Sequence, residues 1–203
     1  MLCSTKATSV NRRAFGRVAG LTAGRPGAGM TGTVIAFAIS NFPFSFLALG
    51  LLASGIAIAR TPRPVRGAVV IDKLLVWYVL FNVGVTFFVN FVFHVFFGPM
   101  TAAFIGWADS PFQFEVGTAS LGFSLAGFVA AFANFERRLV AVIGPGIFTL
   151  GAALGHIEQM VTAHNFAPGN AGVIFYMDIF IPLFGFILLW LQYKGRRAAP
   201  TAR

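Results

Sequence analysis

Charge is what this chain has least of. Only 10% of its 203 residues are Asp, Glu, Lys or Arg, against about 25% in a soluble domain. Acidic residues number six. A single cysteine, Cys3, excludes an intrachain disulfide and any multi-cysteine zinc site. There is no Glu-x-x-His or His-Glu-x-x-His spacing, so no motif announces a metal centre. No basic stripe interleaves with exposed aromatics, which excludes a nucleic-acid groove. No internal repeat and no long linker divides the chain.

What is there is apolar. Apolar residues make up 57% of the chain, phenylalanine alone fills 25 positions, and the mean hydropathy is +0.80. These values predict an all-α integral membrane protein. Five segments approach or exceed the ~20 residues that a helix needs to cross hydrocarbon. They run over about 32–59, 74–97, 112–134, 139–162 and 171–193. Pro43 is expected to kink the first. Pro182 lies in the fifth, which ends in Trp190, Tyr193 and a basic tail. Helices 2 to 5 form the core of the expected bundle.

The net charge of +9 reads as topology. Arg60, Arg63, Arg66 and Lys73 occupy the first connection, Arg137 and Arg138 another, and Lys194, Arg196, Arg197 and Arg203 follow the last segment. Loops 98–111 and 163–170 have no positive charge. The basic loops and the C-terminus are therefore expected on the cytoplasmic side of a bacterial inner membrane. Five spans then put the N-terminus outside. Yet Lys6, Arg12, Arg13, Arg17 and Arg25 stand there with no acidic residue in the first 29. Arg12-Arg13-Ala14-Phe15 loosely resembles a twin-arginine motif, but the Gly-rich stretch after it supplies no apolar h-region. A targeting segment, a disordered tail and a start at Met30 are the alternatives, and topology favours the last. The expected organisation is a basic tail over 1–30, a transmembrane domain over 31–198 and a C-terminal tail over 199–203.

Ionisable groups at membrane depth cost about 2.5–3.5 kcal/mol each even on lenient insertion scales, so they mark candidate sites. At a rise of ~1.5 Å per residue, His94, Glu115, His156, Glu158, Gln159 and Asp178 all fall in the outer third of the membrane. His164 and Asn165 lie in the adjoining loop. Asn82, Thr86, Asn90 and His94 recur every four residues, a stripe that drifts slowly around its helix. In the third segment Glu115, Thr118, Ala119, Gly122 and Ala126 share a small-residue face. His156 and Glu158 point about 200° apart on a 3.6-residue helix, so they face different neighbours. Nothing comparable is expected on the cytoplasmic half.

The candidate binding or proton-handling residues are thus His94, Glu115, His156, Glu158 and Asp178, with Asn90, Gln159 and His164 in support. Imidazole and carboxylate suit zinc, iron or copper, which makes His94, Glu115 and His156 the metal candidates. Haem between His94 and His156 is a further option. A pocket for a lipid, quinone or small solute needs no cofactor. The expected function is a binding or redox module, with a structural accessory subunit or a small-solute transporter as alternatives. Expected partners are the lipid bilayer and other subunits or a second copy, with no nucleic acid.

Three stretches carry a resemblance: Gly106–Gly117 (GWADSPFQFEVG), Gly151–Met160 (GAALGHIEQM) and Asn165–Gly172 (NFAPGNAG). They resemble a family of small bacterial membrane proteins of unknown function, over about 74–193. By size and helix pattern the chain also faintly resembles the four-helix core of DoxX-like membrane proteins. Some of those are associated with quinone-linked oxidation.

Overall fold

The computed structural model describes residues 29–198; the expectations for 1–28 and for the last five residues lie outside it. Among the described residues all regular structure is helical. The elements are α1 (Met30–Ser40), α2 (Phe42–Ala59), α3 (Gly67–Tyr78), a π-helical stretch (Val79–Val85), α4 (Thr86–Phe96), α5 (Gly98–Ile105), α6 (Phe112–Ala130), α7 (Phe135–Ala163), α8 (Pro168–Ala171) and α9 (Val173–Ala198).

Four helices are long and apolar enough to cross a membrane: Phe42–Ala59, Gly67–Phe96, Phe135–Ala163 and Pro168–Arg197. Their large exposed side chains, such as Val140, Leu154 and Val161, fit lipid contact. α6 is a 19-residue helix, but Gln113, Glu115 and its many Gly, Ser and Ala residues keep it out of that group. It runs antiparallel to α3–α4, from Gly117 against Val95 to Phe132, just past its end, against Trp77. Eighteen residues of the neighbouring helix span about 27 Å.

The expected first span is two helices. Asn41 leaves helical geometry at φ −122°, and Pro43 sits in the first turn of α2 rather than kinking a continuous helix. Proline lacks an N–H, which the first turn of a helix leaves unpaired anyway, so a new start just ahead of it is the cheaper solution. Ser45 Oγ donates to the Ala38 carbonyl across the break at 3.1 Å.

On α6 the small face singled out in the sequence is not the packed one. Glu115, Thr118, Ala119, Gly122 and Ala126 are exposed, whereas Gly117, Ser120, Ser124, Gly127 and Ala130 are buried. Both sets repeat at helical spacing, so composition alone could not choose between them. The buried set fits the π-helical stretch. A Cβ at Gly127 would fall 2.6 Å from the Gly84 nitrogen, and Ser124 Oγ donates to the Gly84 carbonyl at 2.8 Å. Thr86 Oγ1 donates to the Phe81 carbonyl at 3.0 Å. Hydroxyls thus occupy two carbonyls of the π turn, one of them from the neighbouring helix.

Packing divides the bundle. One half is filled by Leu75, Tyr78, Val79, Val83, Ala130, Ala131, Ala141, Val142, Leu188 and Leu189. Beyond it Arg138 Nη1 donates to Asp72 Oδ1 at 2.7 Å, and Gln192 Nε2 reaches the same oxygen at 3.3 Å, tying α7, α3 and α9. Arg138 is 4% exposed, so this half too buries a charged group, though in a single ion pair. The other half holds a cavity instead.

Gly127→Val forces side-chain atoms onto backbone that cannot rotate away, and overpacking of this kind costs about 1–3 kcal/mol. Gly122 meets nothing within 4 Å. Thermal unfolding in detergent is expected to show a lowered midpoint for Gly127→Val and an equal or raised one for Gly122→Ala.

Candidate functional site

The three stretches singled out in the sequence meet at one end of the bundle. Gly106 ends α5 at φ +78°, a left-handed conformation that glycine adopts without strain. A Cβ there would also fall 2.7 Å from Asn165 Oδ1. The turn sends Trp107 inward, where its ring lies against Gly155 of α7, with 3.2 Å left for a Cβ at that glycine. Asn165 Nδ2 donates to the carbonyls of Ile105 and Gly106 at 3.0 and 3.2 Å, capping α5 from the loop before α8.

Asn170 is the centre of this junction and is fully buried. Its Nδ2 donates to the carbonyls of Asn165 and His156, at 2.9 and 3.2 Å. Its Oδ1 accepts from Trp107 Nε1 at 2.8 Å and lies 2.8 Å from His156 Nδ1. An indole N–H can only donate and backbone carbonyls can only accept, so the amide has one workable orientation. The proton on His156 therefore sits on Nδ1. That leaves Nε2 facing Asp178 Oδ2 at 3.4 Å, long for a hydrogen bond but close for a charge contact. A bare imidazole nitrogen facing an ionised carboxylate is repulsive, so the pair holds one proton between Nε2 and the carboxyl. In either arrangement the pair is neutral overall, which suits a buried site.

His156 and Asp178 open onto a partly open cavity of about 980 Å³. The stripe of Asn82, Thr86, Asn90 and His94 lines it along α4 and the π-helical stretch. On a regular α-helix a four-residue step overshoots one turn. A π turn holds more residues, so the same step falls short, and the stretch offsets the drift. His94 Nδ1 pairs with Gln113 Oε1 at 2.6 Å, and Asn90 Nδ2 donates to Ser120 Oγ at 2.9 Å. Most of the remaining lining is apolar, with α1 forming part of one wall through Ile35, Ala36 and Ile39.

Of the sequence candidates, His94, Asn90, His156 and Asp178 line this cavity, while Glu115, Glu158, Gln159 and His164 do not. Glu115, Glu158 and His164 are exposed, and His164 ends α7 at φ +50°. Among the described residues no three of His, Cys, Asp and Glu come together as metal ligands, so Glu115 does not join His94 and His156. Sequence reasoning did not single out Asn170, Trp107 and Gln113 as site residues. Their signal lay in the resembling stretches, which contain all three.

The fold is that of a helical, multi-pass membrane-type bundle with a cavity in one half. The chain belongs to a family of unknown function, DUF6790, whose model matches residues 40–198 and so takes in all three stretches. No curated protein and no solved structure matches the chain, and the DoxX-like likeness rests on none of these comparisons.

Asn170→Leu removes one acceptor from two donors and two donations to carbonyls, each worth about 1–3 kcal/mol when left unmet in a buried place. Its unfolding midpoint is expected to drop by several degrees. Glu115→Gln and Glu158→Gln, on exposed positions, are expected to leave the midpoint unchanged.

Proposed function

We propose that this protein is a membrane-embedded binding module for an amphiphilic, mostly apolar molecule such as a lipid or quinone. The observation that carries this reading is the cavity. It is large, chiefly apolar and partly open, and its polar groups lie along one wall and at the His156–Asp178 pair. Ligand sites are typically concave and apolar with a few placed polar groups. His156, with its tautomer set by Asn170, and Asp178 would take or give a proton to the ligand's polar end. His94, held by Gln113, offers its Nε2 to the same end.

The chain is proposed to sit in a bacterial inner membrane with five spans, α6 being the fifth. Supporting this, α6 keeps pace with the spanning helix beside it over about 27 Å. The ion pairs Arg138–Asp72 and Arg196–Glu136 gather the basic connections at one end of the bundle. By the positive-inside rule that end, with the C-terminus, is cytoplasmic, and the cavity lies in the outer half.

Trp107 lines the cavity and reports on it. With Trp77 and Trp190 replaced by Phe, a brominated long-chain alcohol is expected to quench its emission saturably in detergent micelles. Gly151 lines the cavity and has open space around it, so Gly151→Phe is expected to abolish the saturable phase. Asp178→Asn is expected to weaken binding by about tenfold, one hydrogen bond's worth. Quenching that never saturates and is the same in Gly151→Phe would favour a buried polar layer that only fixes helix register.

A further inference from the structure

One wall of the cavity is tied to the bundle at one end. α1 turns Gly32, Ile35, Ala36, Ile39 and Ser40 to the cavity. Their spacing of three, four, seven and eight residues from the first puts them all on one side of a helix. Yet α1 buries no residue, and Ile35 and Ile39 are 54% and 56% exposed. A wall packed against its neighbours would not leave its inward face so open. Beyond its own turns, the hydrogen bonds and ring contacts of α1 among the described residues all go to Asn41, Phe44 and Ser45. On α7, Ile147 and Gly151 line the same cavity and are exposed as well.

The junction of α1 with α2 is built as a joint. Asn41 leaves helical geometry, and the carbonyls that this break would strand are met locally. Phe37 accepts from the backbone N–H and Nδ2 of Asn41 at 2.9 and 3.0 Å, and Ala38 accepts from Ser45 Oγ at 3.1 Å. The break therefore needs no partner from the rest of the bundle, and no polar backbone is left to hydrocarbon. Hinges are a few element-terminal residues that absorb a change in φ and ψ, and lids are drawn from the least-packed segments.

We propose that α1 is a side gate of the cavity, swinging about Asn41 so that the ligand enters from the hydrocarbon of the bilayer rather than from water. This rests on the cavity-binding reading above and narrows its ligand to molecules that dissolve in the membrane. Both surfaces of the gate are apolar, with Ile35 and Ile39 inward and Val34 and Phe37 outward. Opening into lipid exchanges one apolar surrounding for another, whereas opening into water would expose that surface at a cost.

The test locks the joint from outside. Phe37 and Phe44 flank it with ring centroids 6.3 Å apart; both are exposed and neither lines the cavity. The full-length protein would carry Cys3→Ser, Phe37→Cys and Phe44→Cys, with Trp77 and Trp190 replaced by Phe. A short bifunctional thiosulfonate bridges the two cysteines, mass spectrometry confirms the bridge, and a reductant releases it. Stopped-flow quenching of Trp107 by the brominated alcohol, in phosphatidylcholine vesicles, reads entry. Bridging is expected to slow entry about tenfold or more, to leave the final saturable quenching unchanged, and to be reversed by reductant. Entry equally fast in the bridged and released protein would overturn the gate and leave the cavity reading standing. So would a bridge that lowers the final quenching without slowing entry, which would make α1 a fixed part of the binding wall. Quenching that never saturates in the unbridged protein would sink both readings.

Discussion

The arrangement of the histidine end of the cavity depends on one buried amide. Asn170 joins the loop after α5, the last turns of α7 and the loop before α8, and each of its four hydrogen bonds is made to a different group. Because Trp107 can only donate to it, the amide has no freedom to flip, and that restriction passes directly to the ring of His156. A neutral side chain on a four-residue helix thus sets which nitrogen of a histidine on another helix meets Asp178. Buried polar networks of this kind specify structure strongly when every member is satisfied.

Against that end stands the opposite half of the bundle, where Leu75, Val79, Val142 and Leu188 close the interior. The same long element contributes to both halves. α3 packs into the apolar core, and α4 faces the cavity with its polar stripe. The π-helical stretch between them changes the angular step and so carries Asn82 and Thr86 on the same side as His94. Gly84 and Gly127 let the two backbones touch at that point, so the local irregularity is held by its neighbour.

Much of the architecture was legible in the residues. Long apolar runs announced the helices, since backbone in hydrocarbon must bond to itself. Residue counting brought His156 and Asp178 to one level, and they lie 3.4 Å apart. The opposite directions of His156 and Glu158 also follow from helical pitch: one is buried and the other exposed. The first span was misjudged, since Pro43 reads as a kink or as a start depending on what Asn41 does. Arg138 read only as a topological charge, because its partner Asp72 lies 66 residues away.

Sequence alone therefore determined the class of molecule and the identity of its long helices. Those properties depend on composition and on distances along a single helix. Tertiary structure decided which face of each helix is turned inward. On α6, two equally small faces competed, and the choice fell to Gly117, Ser120, Ser124 and Gly127, where the backbone of the π-helical stretch comes closest. Which candidate residues share the cavity follows from that rotation: Glu115 rides on the rejected face, while Asn170 meets His156 from α8, whose path only its partners define.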